Sequence, residues 1–332
     1  MAQSSVVSNL GRWPTQARTW MSSLFKPNAA PTTRGASLST DEFDLKIIWV
    51  AALLVALGLL MVYSSSIASA SESRFTRYSP TYFFSRQCLF VLIGAVLALF
   101  VFDTSLKTWE RIAPMVFIVA CVLIVAVLIP HVGRKVNGAM RWIPLGPFSL
   151  QPSELMKLAM VLFAARYAVT KADVLHAAQP LKQSLLQGLG PFLLIALVVS
   201  ALLLREPDFG ATLVVLSTGL LILFMAGLDH RLVLPVVVLG LVAAVALVWL
   251  EPYRLERIFG FLDPWKEEFG KGYQLTQSLM AIGRGGIFGL GLGAGVSKHY
   301  YLPEAHTDFI LAVTAEELGL VGVFGVVGAY AW

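Results

Sequence analysis

A chain of 332 residues that is 57% hydrophobic and only 14% charged, with a mean hydropathy of +0.74, is not a soluble domain but one whose solvent is a bilayer. The formal net charge of +5 and pI near 9.2 suit anionic headgroups, although juxtamembrane lysines and arginines reach the same balance with no functional meaning. Cys88 and Cys121 both lie inside apolar runs, where they read as small buried hydrophobes and exclude a disulfide or metal framework.

Residues 1–44 are polar and rich in Ser, Thr, Pro and Ala, with no sustained apolar run, and are expected to form a disordered cytoplasmic tail. They lack the short apolar core and small-residue cleavage site of a signal peptide, so the first span should stay as an anchor. A helix needs about 20 apolar residues to cross the hydrocarbon. Eight segments qualify or nearly do: 45–67, 83–102, 112–129, 155–169, 185–204, 211–228, 232–250 and 309–332, the fourth being the shortest. The expected fold is therefore an all-α polytopic membrane protein with about eight transmembrane helices and a long extracytoplasmic loop, 251–307, between the seventh and the eighth. With the basic tail in the cytoplasm, eight crossings place 69–82, 131–151, 205–210 and 251–307 on the outer face. The last segment ends the chain with no loop behind it, which predicts a fragment of a longer protein.

Several outer stretches have residues suited to chemistry. Arg141 and Trp142 sit among prolines and glycines, where a cation beside an aromatic can hold a diphosphate and a sugar face; the plainer reading is an interfacial belt with basic anchors. Glu154 and Lys157 follow at i and i+3, a structural ion pair or a costly intramembrane charge put to use. Arg205, Glu206, Pro207 and Asp208 join two spans, and a tight turn with its own neutralising charges explains them. Gly283, Gly285, Gly286, Gly289, Gly291, Gly293 and Gly295 suggest a phosphate-cradling loop, but no strand precedes them and no Lys-Ser or Lys-Thr follows, so nucleotide binding is rejected. What remains is a flexible or closely packed backbone, with Arg284 and Lys298 as available cations. No pair of histidines has helical ligand spacing, so zinc is unsupported.

Asp308 is expected in the first turn of the last helix, after Pro303, where the macrodipole favours a carboxylate by about 0.3–1 kcal/mol. Capping alone would account for it, but Glu304 and His306 precede it and Glu316 and Glu317 lie roughly 12–14 Å deeper at 1.5 Å per residue. A line of acids entering a bilayer is expensive unless it is used or paired.

The blocks MVYSSSI at 61–67, VNGAMRWI at 136–143, QPSELMKL at 151–158, REPDFG at 205–210, YQLTQSL at 273–279, and LPEAHTDFI with AEELG at 302–319 resemble the SEDS family of bacterial wall polymerases, from about residue 43 to the end. Ala305 and the long polar tail are more similar to the division branch than to the elongation branch. Leu311 stands where the motif usually has phenylalanine, and the last two of the family's ten spans are absent. The resemblance implies a truncated transmembrane domain over 45–332 that polymerises lipid II on the outer face of the cytoplasmic membrane at the septum, with Asp308 as the catalytic carboxylate acting as general base. Inversion at C1 with a polyprenyl diphosphate leaving group needs one general base and no enzyme nucleophile. Positive charge for the diphosphate falls to Arg141, Lys298 and Arg284, with Trp142, Glu304 and His306 beside them, or to a divalent cation such as Mg2+ or Mn2+. The implied partners are lipid II, a class B penicillin-binding protein and other division proteins, with no nucleic acid. Two rival readings keep the same residues: a lipid II flippase lined by Lys157, Glu316 and Glu317, and a division scaffold without chemistry.

Overall fold

The computed structural model describes residues 44–332 apart from 75, 137, 138, 147, 176–179, 271 and 300; the expected tail over 1–43 lies outside them. The chain divides into two compact units, one over Thr104–Ala243 and the other over 44–103 together with Ala244–Trp332.

In the first unit, α3 (Leu106–Val127) begins at Ser105, whose hydroxyl caps the amide of Thr108. The chain then turns through an antiparallel ribbon of β1 (Arg134–Val136), β2 (Ala139–Leu145) and β3 (Phe148–Leu150). It continues into α4 (Pro152–Thr170), α5 (Ala172–Leu175), α6 (Leu181–Gln183), a π turn at Ser184–Leu189, α7 (Gly190–Arg205) and α8 (Phe209–Met225). The core forms where α3, α4, α7 and α8 meet. Phe117 stacks on Phe163 with ring centroids 4.4 Å apart, and Tyr167 lies 5.5 Å from Phe192. The wider π turn exposes backbone carbonyls, and the buried Tyr167 hydroxyl donates to that of Gly188 at 2.6 Å. Gly219 lets α8 close on this layer, because any Cβ there would press on the Phe192 ring.

The second unit holds α1 (Leu45–Glu72), α2 (Tyr82–Asp103), α10 (Pro252–Leu262), a 3-10 turn at Pro264–Glu267, α11 (Tyr273–Gly285) and α12 (Ile310–Ala331). The chain passes between the units within α9 (His230–Trp249). The Asp44 carboxylate caps α1 by accepting from the Lys46 amide at 3.0 Å, so the helix starts at the last residue of the expected tail. A small core of Met61, Ala281, Leu302, Ala305, Ala312 and Val313 binds α1, α11 and α12.

The all-α polytopic reading holds, with the short ribbon as an addition. Among the described residues six helical stretches are long and apolar enough to cross a membrane: α1, α2, α3, the run Leu181–Arg205, α9 and α12. The other two expected spans also fold as helices. At 17 residues α8 is short, about 25 Å at 1.5 Å per residue. The more polar α4 has ten of its 19 residues buried, Ser153 and Arg166 among them. A helix walled by its neighbours need not be apolar all round, and that is why its sequence is a weak span signal. No residue of α2 or α9 is buried; their apolar surfaces suit contact with hydrocarbon. The expected long loop 251–307 is largely built, holding α10, α11 and a glycine segment packed on α12.

Candidate active site and its supports

Asp308 lies two residues before α12, in a turn rather than in the helix's first turn as its sequence position suggests. The turn is wound by Glu304, which holds the left-handed φ of +54° that non-glycine residues seldom adopt. Its carbonyl accepts from the amides of Thr307 at 3.1 Å and Phe309 at 3.3 Å, and its carboxylate from the Thr307 hydroxyl at 2.9 Å. Glu304 is thus tied up within the turn. Asp308 is exposed, and among the described residues nothing hydrogen-bonds to its carboxylate. Two residues earlier, the half-buried His306 ring packs 4.3 Å from that of Phe83. Burial pulls its pKa down, with Glu304 pulling it back up, so the ring is neutral at neutral pH and free to lie against the aromatic.

Behind this turn, α12 is two helices. At Gly319 the backbone takes φ +70° and ψ −169°, and the helical ladder stops. The glycine segment is spliced into the gap. The amides of Leu290 and Gly291 donate to the carbonyls of Glu316 and Glu317, each at 3.0 Å, while the amides of Leu320 and Val321 donate to the carbonyls of Gly286 at 3.0 Å and Ile287 at 3.1 Å. Broken helices are tolerated at membrane depth only where other backbone takes up the freed groups. The glycines serve this approach: added Cβ atoms at Gly285 and Gly289 would collide with the carbonyl oxygens of Ala315 and Glu317. Of the two readings left open for them, closely packed backbone is what forms.

The intramembrane acids hold the same splice. The buried Glu316 accepts from the amides of Val296 at 3.2 Å and Ser297 at 3.1 Å, and Arg284 stands 3.9 Å from it. Glu317 accepts from the Gly293 amide at 2.9 Å, the Ser64 hydroxyl at 2.8 Å and the Lys298 ammonium at 2.7 Å. Lys298 also donates to the Gly293 carbonyl at 2.7 Å and to Ser64 at 2.9 Å, which uses all three of its protons. It is buried, so its expected role toward a diphosphate does not match its surroundings. Arg284 remains half exposed.

In the first unit, three of the sequence blocks converge. From β2, Arg141 donates through Nε to the Glu206 carbonyl at 3.0 Å and through a terminal nitrogen to the Pro207 carbonyl. Trp142, half buried, pairs with Arg134 across the ribbon. Asp208 caps α8 at the Ala211 amide at 3.1 Å and accepts from Ser153 at 2.9 Å and Gln151 at 3.3 Å. Glu154 and Lys157 form an ion pair on α4 at 2.8 Å, partly open to solvent. The turn at 205–210 does not neutralise itself as expected: Arg205 is exposed, while Glu206 is fully buried and neither carboxylate oxygen has a hydrogen-bond partner among the described residues. Burial, with Asp208 adding to it and Arg141 opposing, pushes its pKa up to about 8. Gln151, Ser153 and Glu206 stood inside conspicuous motifs, but nothing in the sequence said that these motifs meet.

Glu206 thus keeps its proton at neutral pH. Because its folded pKa exceeds its unfolded one, the native state binds the extra proton between about pH 4.5 and pH 8, and stability falls as pH rises through that window. Glu206→Gln should flatten this fall, read as melting temperatures from pH 5 to 9. A variant with the wild-type pH slope would contradict the protonated state.

Among the described residues no group of three or more His, Cys, Asp and Glu side chains is placed to hold a metal ion.

The fold and the acid-bearing turn define a multi-pass membrane protein with an exposed carboxylate at the head of a broken helix. The family profile described as cell cycle protein, FTSW_RODA_SPOVE, matches residues 44–332, and the chain belongs to that family. It is 49% identical over 293 residues to a probable peptidoglycan glycosyltransferase FtsW of Aromatoleum aromaticum, covering 88% of this chain and 70% of that protein. It is 46% identical over 307 residues to one of Burkholderia thailandensis, covering 92% and 64%. Among solved structures it is similar to a chain described under structural coordination of polymerization and crosslinking by a peptidoglycan synthase complex, at 31% identity and a TM-score of 0.64 over 87% of this chain and 75% of that one. The rod shape determining protein RodA of Thermus thermophilus matches at 28% identity and a TM-score of 0.56, over 87% and 72%. The chain is a multi-pass bacterial membrane protein.

Proposed function

We propose that the protein is an inverting peptidoglycan glycosyltransferase that polymerises lipid II on the outer face of the cytoplasmic membrane during septal wall synthesis. The observation that carries this reading is the Asp308 carboxylate, exposed and without a hydrogen-bond partner among the described residues, on a turn fixed by a left-handed residue. A base must be free to accept a proton, and a carboxylate spent on capping would not be. In the step, a hydroxyl oxygen of the acceptor sugar attacks C1 of the donor, the C1–oxygen bond to the diphosphate breaks, and the hydroxyl proton passes to Asp308. Undecaprenyl diphosphate leaves with the bonding electrons and needs no proton, so one carboxylate suffices.

The buried acids no longer favour a flippase, since Glu316 and Glu317 are occupied by loop amides, Ser64 and Lys298. Purified full-length protein in detergent micelles with labelled lipid II separates the two activities, because micelles have no second leaflet. Glycan chains on a gel are expected; their absence with lipid flipping in vesicles would overturn the polymerase reading. Of the three cations expected to meet the diphosphate, Arg284 is the most exposed. Hydrogen bonds to charged groups of about 1.5–3 kcal/mol predict that Arg284→Ala weakens subsaturating lipid II use about 10- to 150-fold. Arg141 keeps a further terminal nitrogen for the same purpose, but its replacement first frees the Glu206 and Pro207 carbonyls.

A class B penicillin-binding protein is the proposed partner, supported by the similarity to a chain of a complex that couples polymerization with crosslinking. Its outer domain would rest on 251–307. Activity with and without that transpeptidase, beside hydrogen exchange over these residues, tests the contact.

A further inference from the structure

We propose that Lys298 and Glu317 are positioning residues for Asp308: they form a buried clamp that closes the loop carrying it, and neither meets substrate. The proposal rests on Asp308 being the base. Among the described residues no hydrogen bond or ion pair holds the Asp308 side chain, so its place depends on the backbone that carries it. That backbone has weak support from the membrane helix behind it. The break at Gly319 cuts α12 so that only Ile310 to Leu318, about two and a half turns at 3.6 residues each, continue from the turn.

Apolar contacts of Ala312 and Val313 with Met61, Ala281, Leu302 and Ala305 seat this short piece, and the clamp is the polar fixture at its base. Lys298 precedes Asp308 by ten residues and Glu317 follows it by nine, and their side chains meet at 2.7 Å with 3% and 0% exposure. One residue away on each side, the Ser297 amide meets the Glu316 carboxylate at 3.1 Å. Ser64 bridges the pair from α1, and Gly293 closes it by donating its amide to Glu317 and accepting from Lys298. The 298–317 segment is thus a closed loop, pinned at its neck to α1 and to the glycine segment, with the Glu304 turn shaping its tip. Opening the neck would release both ends of the chain that carries Asp308.

The test is steady-state polymerisation of labelled lipid II by the full-length protein. Lys298→Met leaves Glu317 charged and alone, so the neck rearranges; kcat should fall on the order of 100-fold, as about 1 Å of misplacement can cause, with KM little changed. Adding Glu317→Gln removes the stranded charge while a neutral amide still serves Gly293 and Ser64, and kcat should recover by more than about tenfold over the single variant, since a buried ion pair replaced as a whole is tolerated far better than one halved. A lysine that bound the diphosphate would instead raise KM, and Glu317→Gln would not rescue it. That result, or kcat unchanged in Lys298→Met, or a double variant no better than the single, overturns the proposal. If Lys298→Met does not purify as a folded protein, Ser64→Ala removes only the bridging hydroxyl and should still lower kcat without raising KM; no change in kcat would again overturn it. Asp308→Asn is assayed in parallel: an active Asp308→Asn sinks the base assignment, whereas an inactive one beside an unaffected Lys298→Met sinks only the clamp.

Discussion

Asp308→Asn is expected to abolish glycan polymerisation while the protein keeps its wild-type melting temperature. The amide has the shape of the carboxylate but cannot accept the acceptor hydroxyl's proton, and loss of a positioned general base costs about 10²- to 10⁴-fold. Stability should be untouched for reasons visible in the structure. Asp308 lies outside α12 and caps nothing among the described residues, and the left-handed turn is held by Glu304, Thr307 and backbone, none of which uses the Asp308 side chain. Polymerisation by a folded Asp308→Asn protein at more than about a tenth of the wild-type rate would remove Asp308 from the chemistry.

The largest structural effect is expected from Gly319→Ala. The conformation at Gly319, φ +70° with ψ −169°, belongs to a region open essentially to glycine alone and costs other residues about 1–3 kcal/mol before any contact is counted. Contacts add to it, because a Cβ here would collide with the Gly289 amide nitrogen and the Ile287 carbonyl oxygen, both backbone and unable to swing aside. The splice would have to open. Opening releases the carbonyls of Glu316 and Glu317 and the amides of Leu320 and Val321 together. The variant should melt well below the wild type and exchange the Leu320 and Val321 amides quickly, and it should lose polymerase activity along with Asp308's placement. A variant with wild-type melting and slow exchange at these amides would mean that α12 can run straight through position 319. Gly325 offers the comparison: it lies in the same helix with open space around it, and Gly325→Ala should be silent.

The amino-acid sequence by itself determined that this is a helical membrane protein and where most of its spans lie. An apolar run of about 20 residues has few fates besides a membrane helix. The expected 83–102 thus appears as Tyr82–Asp103, and 232–250 as His230–Trp249. The sequence also singled out Asp308, because a carboxylate at the edge of such a run is costly and therefore noticeable. Tertiary structure alone decided what the other charged and glycine-rich residues do. Arg284 and Lys298 look alike along the chain, two cations beside glycines, yet one stays half exposed and the other is buried on Glu317. Gly285, Gly289 and Gly291 carry no sign that their neighbours are the carbonyls of Ala315 and Glu317, far along the chain. The break at Gly319 was hidden for the same reason: the apolar run continues across it, and periodicity cannot register a gap that another segment's backbone fills. In the first unit, the meeting of Arg141, Glu206 and Asp208 with Gln151 and Ser153 depends on how three short connections fold together. Local sequence fixes which residues enter a helix, but the partner of a buried charge or an unpaired amide is chosen by whatever packing brings within hydrogen-bonding reach.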